Sequence, residues 1–300
     1  MNRVLFAVSA ALTLAGCSPS AAPPADQAAA QPFTSDRISV VTRGTGPDII
    51  LIPGLNSSRD VWAEAADSLQ GRYRLHLVQL NGFAGLGPGA NADGPVSAPA
   101  AEEIGRYITE SKLSKPAVIG HSMGGTIAMM LASRHPDLVG RVMVVDMPPF
   151  LGMMFGPPGA TPESVRHMAD SMRTAMLAAP PGAPTMFEVM VQSMTKVDSM
   201  KTKLVSGSRA SNPATTANAF HELIVTDLRP ELAKITAPFT VLYVIPPNAP
   251  LPAAQFEAAM REAYSAAPAV QLIRIDNSLH FIQFDQPGRF VAEVDALMRR

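Results

Sequence analysis

The sequence predicts an α/β protein, a mostly parallel, doubly wound sheet with an inserted helical cap. Three observations predict it. From residue 38 onward, short apolar runs alternate with longer amphipathic ones, the pattern of βα units on a parallel sheet. From residue 150 to about 226, strand signals become few and helical segments follow one another across Pro/Gly loops. At Gly120-His121-Ser122-Met123-Gly124, an apolar run passes into a helical one through a glycine-flanked serine.

Composition agrees with one large domain or two small ones. Hydrophobic residues make up 47% of the 300, enough for a substantial core. A net charge of −1 argues against nucleic acid or an anionic membrane surface as the main partner. No internal run is long and apolar enough to span a bilayer.

The elements follow in chain order. Met1-Asn2-Arg3 is a short positive segment, and Val4 to Leu14 is an apolar run too short for a transmembrane helix. Leu14-Ala15-Gly16-Cys17 resembles the lipobox of bacterial lipoproteins. That resemblance implies a signal peptide over residues 1–16, cut before a lipidated Cys17. Cys17 is the sole cysteine, so no intramolecular disulfide forms, and several acyl chains would anchor the protein stably. Export to the periplasmic or outer face of a bacterial membrane is the expectation. Ser18 after the cysteine favours an outer membrane where the host has one. The alternative is a plain secretory signal cut near Ala15 or Ala22. Residues 17–35 are rich in Pro and Ala, bury too little apolar surface to fold, and read as a linker.

Ile38–Val41, Asp48–Ile52, Arg74–Leu80, Ala117–Ile119 and Arg141–Asp146 read as strands, with helices over Val61–Leu69, Ala100–Ser111 and Thr126–Arg134. Residues 149–226 form the expected cap. Pro157-Pro158-Gly159, Pro180-Pro181-Gly182 and Asn212-Pro213 separate its helices, and Thr161-Pro162-Glu163 starts one with proline at the first helical position. Strands return at Thr240–Val244 and Val270–Ile275, with helices near Ala253–Ser265 and from Gly288. The core is therefore expected over residues 36–148 and 227–300.

Strand, G-x-S-x-G, helix is the context of a nucleophile elbow, a sharp strained turn that exposes the serine hydroxyl. Together with Leu51-Ile52-Pro53-Gly54-Leu55, Val144-Val145-Asp146, Ser278-Leu279-His280-Phe281 and Asp285-Gln286-Pro287, it makes the chain resemble a capped member of the α/β-hydrolase superfamily over residues 38–300. The resemblance implies a serine hydrolase acting on a small-molecule ester, or a lactone or thioester, with Ser122 as nucleophile and His280 as its base. It also implies an oxyanion site from the Met123 and Leu55 backbone N–H groups. A serine hydroxyl needs such a base. His121 is expected to pack away from the hydroxyl, and His76, His135, His167 and His221 to be structural or at the surface.

The acid departs from the family pattern. The loop after the penultimate strand, residues 245–250, holds no Asp or Glu. Asp146 is the first candidate and Asp276 the second. Asn248 could orient an imidazole but not offset its charge, and a triad without a carboxylate stays open.

Methionines at 168, 172, 176 and at 186, 190, 194 recur every four residues, one helix face each. They either pack the cap helices together or line an apolar pocket that Met147, Phe150, Met153, Met154 and Phe155 extend. No Lys/Arg cluster in the cap grips a phosphate, which disfavours a CoA thioester. Dehalogenase and epoxide-hydrolase relatives carry aspartate where Ser122 stands. Two alternatives remain: an aminopeptidase of this fold, for which Glu188 is the lone amine-binding candidate, and a non-catalytic binding protein. No metal-ligand spacing or Rossmann glycine pattern appears, so no metal or cofactor is expected. Asn81-Gly82-Phe83-Ala84-Gly85 reads as a loop beside the site.

Overall fold

The computed structural model describes Met1 and residues 33–300, apart from 181, 248 and 250. The expected signal peptide beyond Met1, Cys17, most of the expected linker and Asn248 lie outside the described residues.

Seven strands form one sheet: β1 (Ile38–Arg43), β2 (Asp48–Ile52), β3 (Arg74–Leu80), β4 (Ala117–His121), β5 (Arg141–Val145), β6 (Phe239–Tyr243) and β7 (Val270–Arg274). Their order is β1-β3-β2-β4-β5-β6-β7. β1 is antiparallel to β3 and every other pairing is parallel. Every residue of β4 and β6 is buried, as expected of the mainly apolar central strands of a sheet covered on both faces.

Two helical layers cover it. On one face α2 (Ser97–Glu110), α3 (Met123–Arg134) and α8 (Ala253–Ala263) bury Ile104, Ile127, Met130 and Met260. On the other, α1 (Ala63–Leu69) and α10 (Pro287–Met298) bury Leu69, Phe290 and Val294, with Trp62 beside them. Between β5 and β6 the chain forms α4 (Pro162–Leu177), α5 (Met186–Val191), α6 (Asp198–Ala210) and α7 (Pro213–Val225). Their starts are written locally. The side chains of Thr161, Thr185 and Asn212 accept from amides of the first turns of α4, α5 and α7, and Pro162 and Pro213 follow two of these caps. Phe150, Val165, Ala169, Phe187, Phe220 and Ile224 close a third apolar cluster inside this insertion.

Differences from the expected elements are local. The helix after the elbow starts at Met123 rather than Thr126, because the turn passes directly into it. Val61–Leu69 divides into a 3₁₀ turn, Arg59–Trp62, and α1. A four-residue helix, α9 (Ile282–Asp285), is too short to leave a periodic signal.

Candidate active site

Ligand sites of open parallel sheets lie beyond the carboxyl ends of the strands, and the candidate residues gather there. Ser122 follows β4 with φ 53° and ψ −122°, a conformation strained for a residue with a Cβ. Its amide donates to the Val145 carbonyl at 2.9 Å, and its carbonyl accepts from Gly125 N–H at 2.7 Å. The flanking glycines are steric requirements. A Cβ at Gly120 would strike the Gly124 carbonyl, and one at Gly124 would strike the Ile52 carbonyl.

The loop after β2 lies against the serine. A Cβ at Gly54 would stand 3.0 Å from Ser122 Cβ and 3.2 Å from His121 Nδ1. Leu55, next in the chain, is therefore a neighbour of the elbow. Met123 opens α3, so its amide has no acceptor within the helix and sits at the positive end of the helix dipole.

His280 and Asp146 meet. His280 Nδ1 lies 2.7 Å from Asp146 Oδ2, with side chains 24% and 17% exposed, sheltered yet reachable. Asp146 Oδ1 accepts from Val244 N–H at 3.0 Å, and the Asp146 amide donates to Leu242 O at 2.7 Å. A carboxylate accepts, so Nδ1–H is the donor in this pair, and in the neutral ring that tautomer leaves the Nε2 lone pair free. Asp276 points elsewhere. It is 68% exposed on its side chain and pairs with Arg274 at 2.7 Å.

His121 packs, as expected. Its ring stands 4.6 Å from that of His280 and 4.4 Å from that of Phe281, between centroids. Burial, and secondarily the nearby His280, holds its pKa well below the usual histidine range, so it is neutral. Its Nε2 lies 3.0 Å from the His280 carbonyl and, as a donor, braces the backbone of that residue. His76 bridges Asp48 and Tyr107, His135 meets Glu102, and His221 meets Asp170. His167 is exposed.

Sequence reasoning missed how the histidine loop is held. Asp285 accepts from Leu279 N–H at 2.7 Å, Thr195 Oγ1 at 2.7 Å and Lys196 N–H at 2.9 Å. Phe281 N–H donates to Met194 O at 2.9 Å. The segment before α6 therefore grips the loop that carries His280. Nothing in the sequence pairs Asp285 with residues ninety positions away.

The methionines first pack the insertion. Met168, Met172, Met176, Met186 and Met190 lie half-buried against the Phe150–Phe220 cluster, whereas Met194 packs against the core cluster of α1 and α10. Leu55, Leu151 and Met153 touch the same insertion cluster, which brings its apolar surface to the edge of the site. Phe150 and Met147 are buried, while Met154 and Phe155 are exposed. Glu188 closes the capping box of α5 and meets Arg209 at 2.8 Å, so its carboxylate is already engaged. The 81–85 loop is tied down as well. Gly82 O accepts from Asn212 N–H at 2.7 Å, and Ala84 N–H donates to Ser211 Oγ at 2.9 Å.

Comparison with known proteins places the fold. The model of the Alpha/beta hydrolase family matches residues 49–294. A pimeloyl-[acyl-carrier protein] methyl ester esterase of Vibrio vulnificus is 25% identical over 210 residues, spanning 67% of this chain and 76% of the relative. Its counterpart from Aeromonas hydrophila is 34% identical over 127 residues, 42% of this chain and 48% of that one. Among solved structures, the enol-lactonase of Burkholderia xenovorans LB400 superposes with a TM-score of 0.70 at 17% identity, over 88% of this chain and 96% of that one.

Proposed function

The chain belongs to the alpha/beta hydrolase family, and on that premise we propose that it is a serine esterase working through an acyl-enzyme on Ser122. The substrate class is a carboxylic ester with an apolar moiety, with lactones and thioesters as chemical neighbours. Esterase-named relatives and the apolar surface beside Leu55 support that class.

The chemistry follows from the groups present. Ser122 Oγ adds to the carbonyl carbon while its proton passes to His280 Nε2. The carbonyl electron pair moves onto oxygen, facing the Met123 and Leu55 amides; such a donor is worth about 3–4 kcal/mol in the transition state. The bond to the alcohol then breaks, and the alcohol leaves with the proton from His280. Water adds to the acyl-enzyme, gives its proton to His280, and the acid departs as Ser122 recovers it. Asp146 balances the imidazolium in both halves. Two observations carry this reading: the 2.7 Å contact of His280 Nδ1 with Asp146 Oδ2, and the strained elbow backbone at Ser122.

The experiment is turnover of a panel of p-nitrophenyl esters against aminoacyl-amides. Ester turnover that falls to background in Ser122→Ala is the expected result. Preference for the amides would make the protein an aminopeptidase, and turnover persisting in Ser122→Ala would remove the serine from the chemistry.

Residues 149–226 are proposed as the cap and 36–148 with 227–300 as the core. We further propose that residues 1–16 are a signal peptide and that acylated Cys17 tethers the exported domain to a membrane. No helix among the described residues is long and apolar enough to cross one. Cys17→Ser should move the protein from the membrane to the soluble fraction, and unchanged fractionation would contradict the anchor.

A further inference from the structure

Asn56 stands directly after Leu55 in the loop beyond β2, buried to 6% exposure. Its φ is 58°, the left-handed region, which asparagine enters more readily than most residues. Its carboxamide leaves its own loop and bridges two helices of the insertion. Oδ1 accepts the Thr216 hydroxyl of α7 at 2.7 Å, and Nδ2 donates to Ser208 Oγ of α6 at 3.4 Å. Ser57 N–H donates to Gly54 O at 3.2 Å, which closes a turn with Leu55 and Asn56 at its centre. α6 also presses on that turn, since a Cβ at Gly207 would lie 3.1 Å from the Asn56 carbonyl oxygen.

A donor amide is useful only when it is aimed, and a turn held in a strained backbone relaxes when its anchor is removed. Resting on the serine-esterase reading, we infer that Asn56 is a positioning residue through which α6 and α7 hold the Leu55 amide toward the developing oxyanion. The insertion then does more than border the substrate, because it sets one half of the oxyanion site. Movement of α7 away from the core would release Asn56 and switch that donor off, while leaving Ser122, His280 and Asp146 on the sheet.

The test uses the full chain with Thr216→Val, which removes the hydroxyl at nearly constant shape, and Thr216→Ser, which keeps it. Two rates are read: p-nitrophenyl butyrate turnover and phosphonylation of Ser122 by a fluorophosphonate, which needs no knowledge of the natural ester. Misplacing a catalytic group by about 1 Å costs up to about a hundredfold. Thr216→Val should lose between about tenfold and a hundredfold in kcat and in phosphonylation rate, with KM within about twofold. Thr216→Ser should recover to within about threefold of wild type. If Thr216→Val does not fold, Asn56→Gly, which accepts the same backbone without the bridge, supplies the same readouts. A folded variant with unchanged rates, a loss confined to KM, or equal losses in Thr216→Ser and Thr216→Val would overturn the inference. Turnover surviving in Ser122→Ala would instead overturn the esterase reading beneath it.

Discussion

In the proposed triad Asp146 takes the place of an acid that the family pattern puts one strand further on, and the sheet explains how it reaches His280. β5 and β6 are hydrogen-bonded neighbours, with Val145 opposite Leu242, so their ends lie about 4.8 Å apart. A carboxylate at the end of β5 reaches the space a residue after β6 would fill, as the hydrogen bond from Val244 N–H to Asp146 Oδ1 records. Asp146→Asn should therefore lower kcat by about three to four orders of magnitude with little change in KM, since an amide neither offsets the imidazolium nor enforces the Nδ1–H tautomer. Wild-type turnover in that variant would remove Asp146 from the triad. The order Ser…His and the elbow glycines were legible in the sequence. Asp146 could be ranked ahead of Asp276 from its place at a strand end, but its hydrogen bond to His280 was not legible, because it depends on which strands are neighbours. The glycines make a second residue-scale prediction. Gly120→Ala pushes a methyl group into backbone and should cost about 3 kcal/mol or leave the protein insoluble, while Gly71→Ala, with open space around it, should change the urea midpoint by less than the measurement error.

Elements were read well where periodicity or punctuation wrote them. The buried strands are unbroken apolar runs, and the helices of the insertion start at Thr161-Pro162 and Asn212-Pro213, caps visible by eye. What escaped are connections between elements far apart in sequence, above all the Asp285 clamp between the histidine loop and residues 195–196. Hydrogen bonds to a charged partner contribute about 1.5–3 kcal/mol each, and a carboxamide cannot replace a carboxylate toward three donors. Asp285→Asn should lower the thermal midpoint by several degrees and turnover by about tenfold, because Leu279 immediately precedes His280. Thermal unfolding and ester kinetics on one preparation check both. A midpoint shift without loss of turnover would show that the clamp serves stability alone.

At the scale of the whole molecule, two buried histidines tie stability to pH. Burial holds His121 well below its ordinary pKa, and burial also lowers His76 despite its contact with Asp48. A group depressed in the folded state binds more protons when unfolded. Its stability contribution is complete above the unfolded pKa, about 6.5, and is lost as pH falls toward the folded value. The urea midpoint should therefore drop between pH 7 and pH 5, and His76→Gln should flatten part of that dependence. A midpoint unchanged across this range would contradict the assignment of both rings as neutral and buried. On the same scale, the sheet order brings the ends of β2, β4, β5 and β7 to one rim, so residues from position 54 to 280 gather along it. Periodicity reveals strands but not their order, so the rim could be expected only through resemblance.

The most direct measurement of the central claim is mass-spectrometric mapping of a fluorophosphonate adduct on the wild type, His280→Ala and Asp146→Asn. An activated serine predicts one adduct, on Ser122, absent from His280→Ala and forming far more slowly in Asp146→Asn. No adduct on folded protein, or labelling of Ser122 at the same rate in all three, would contradict a serine activated by His280 and Asp146.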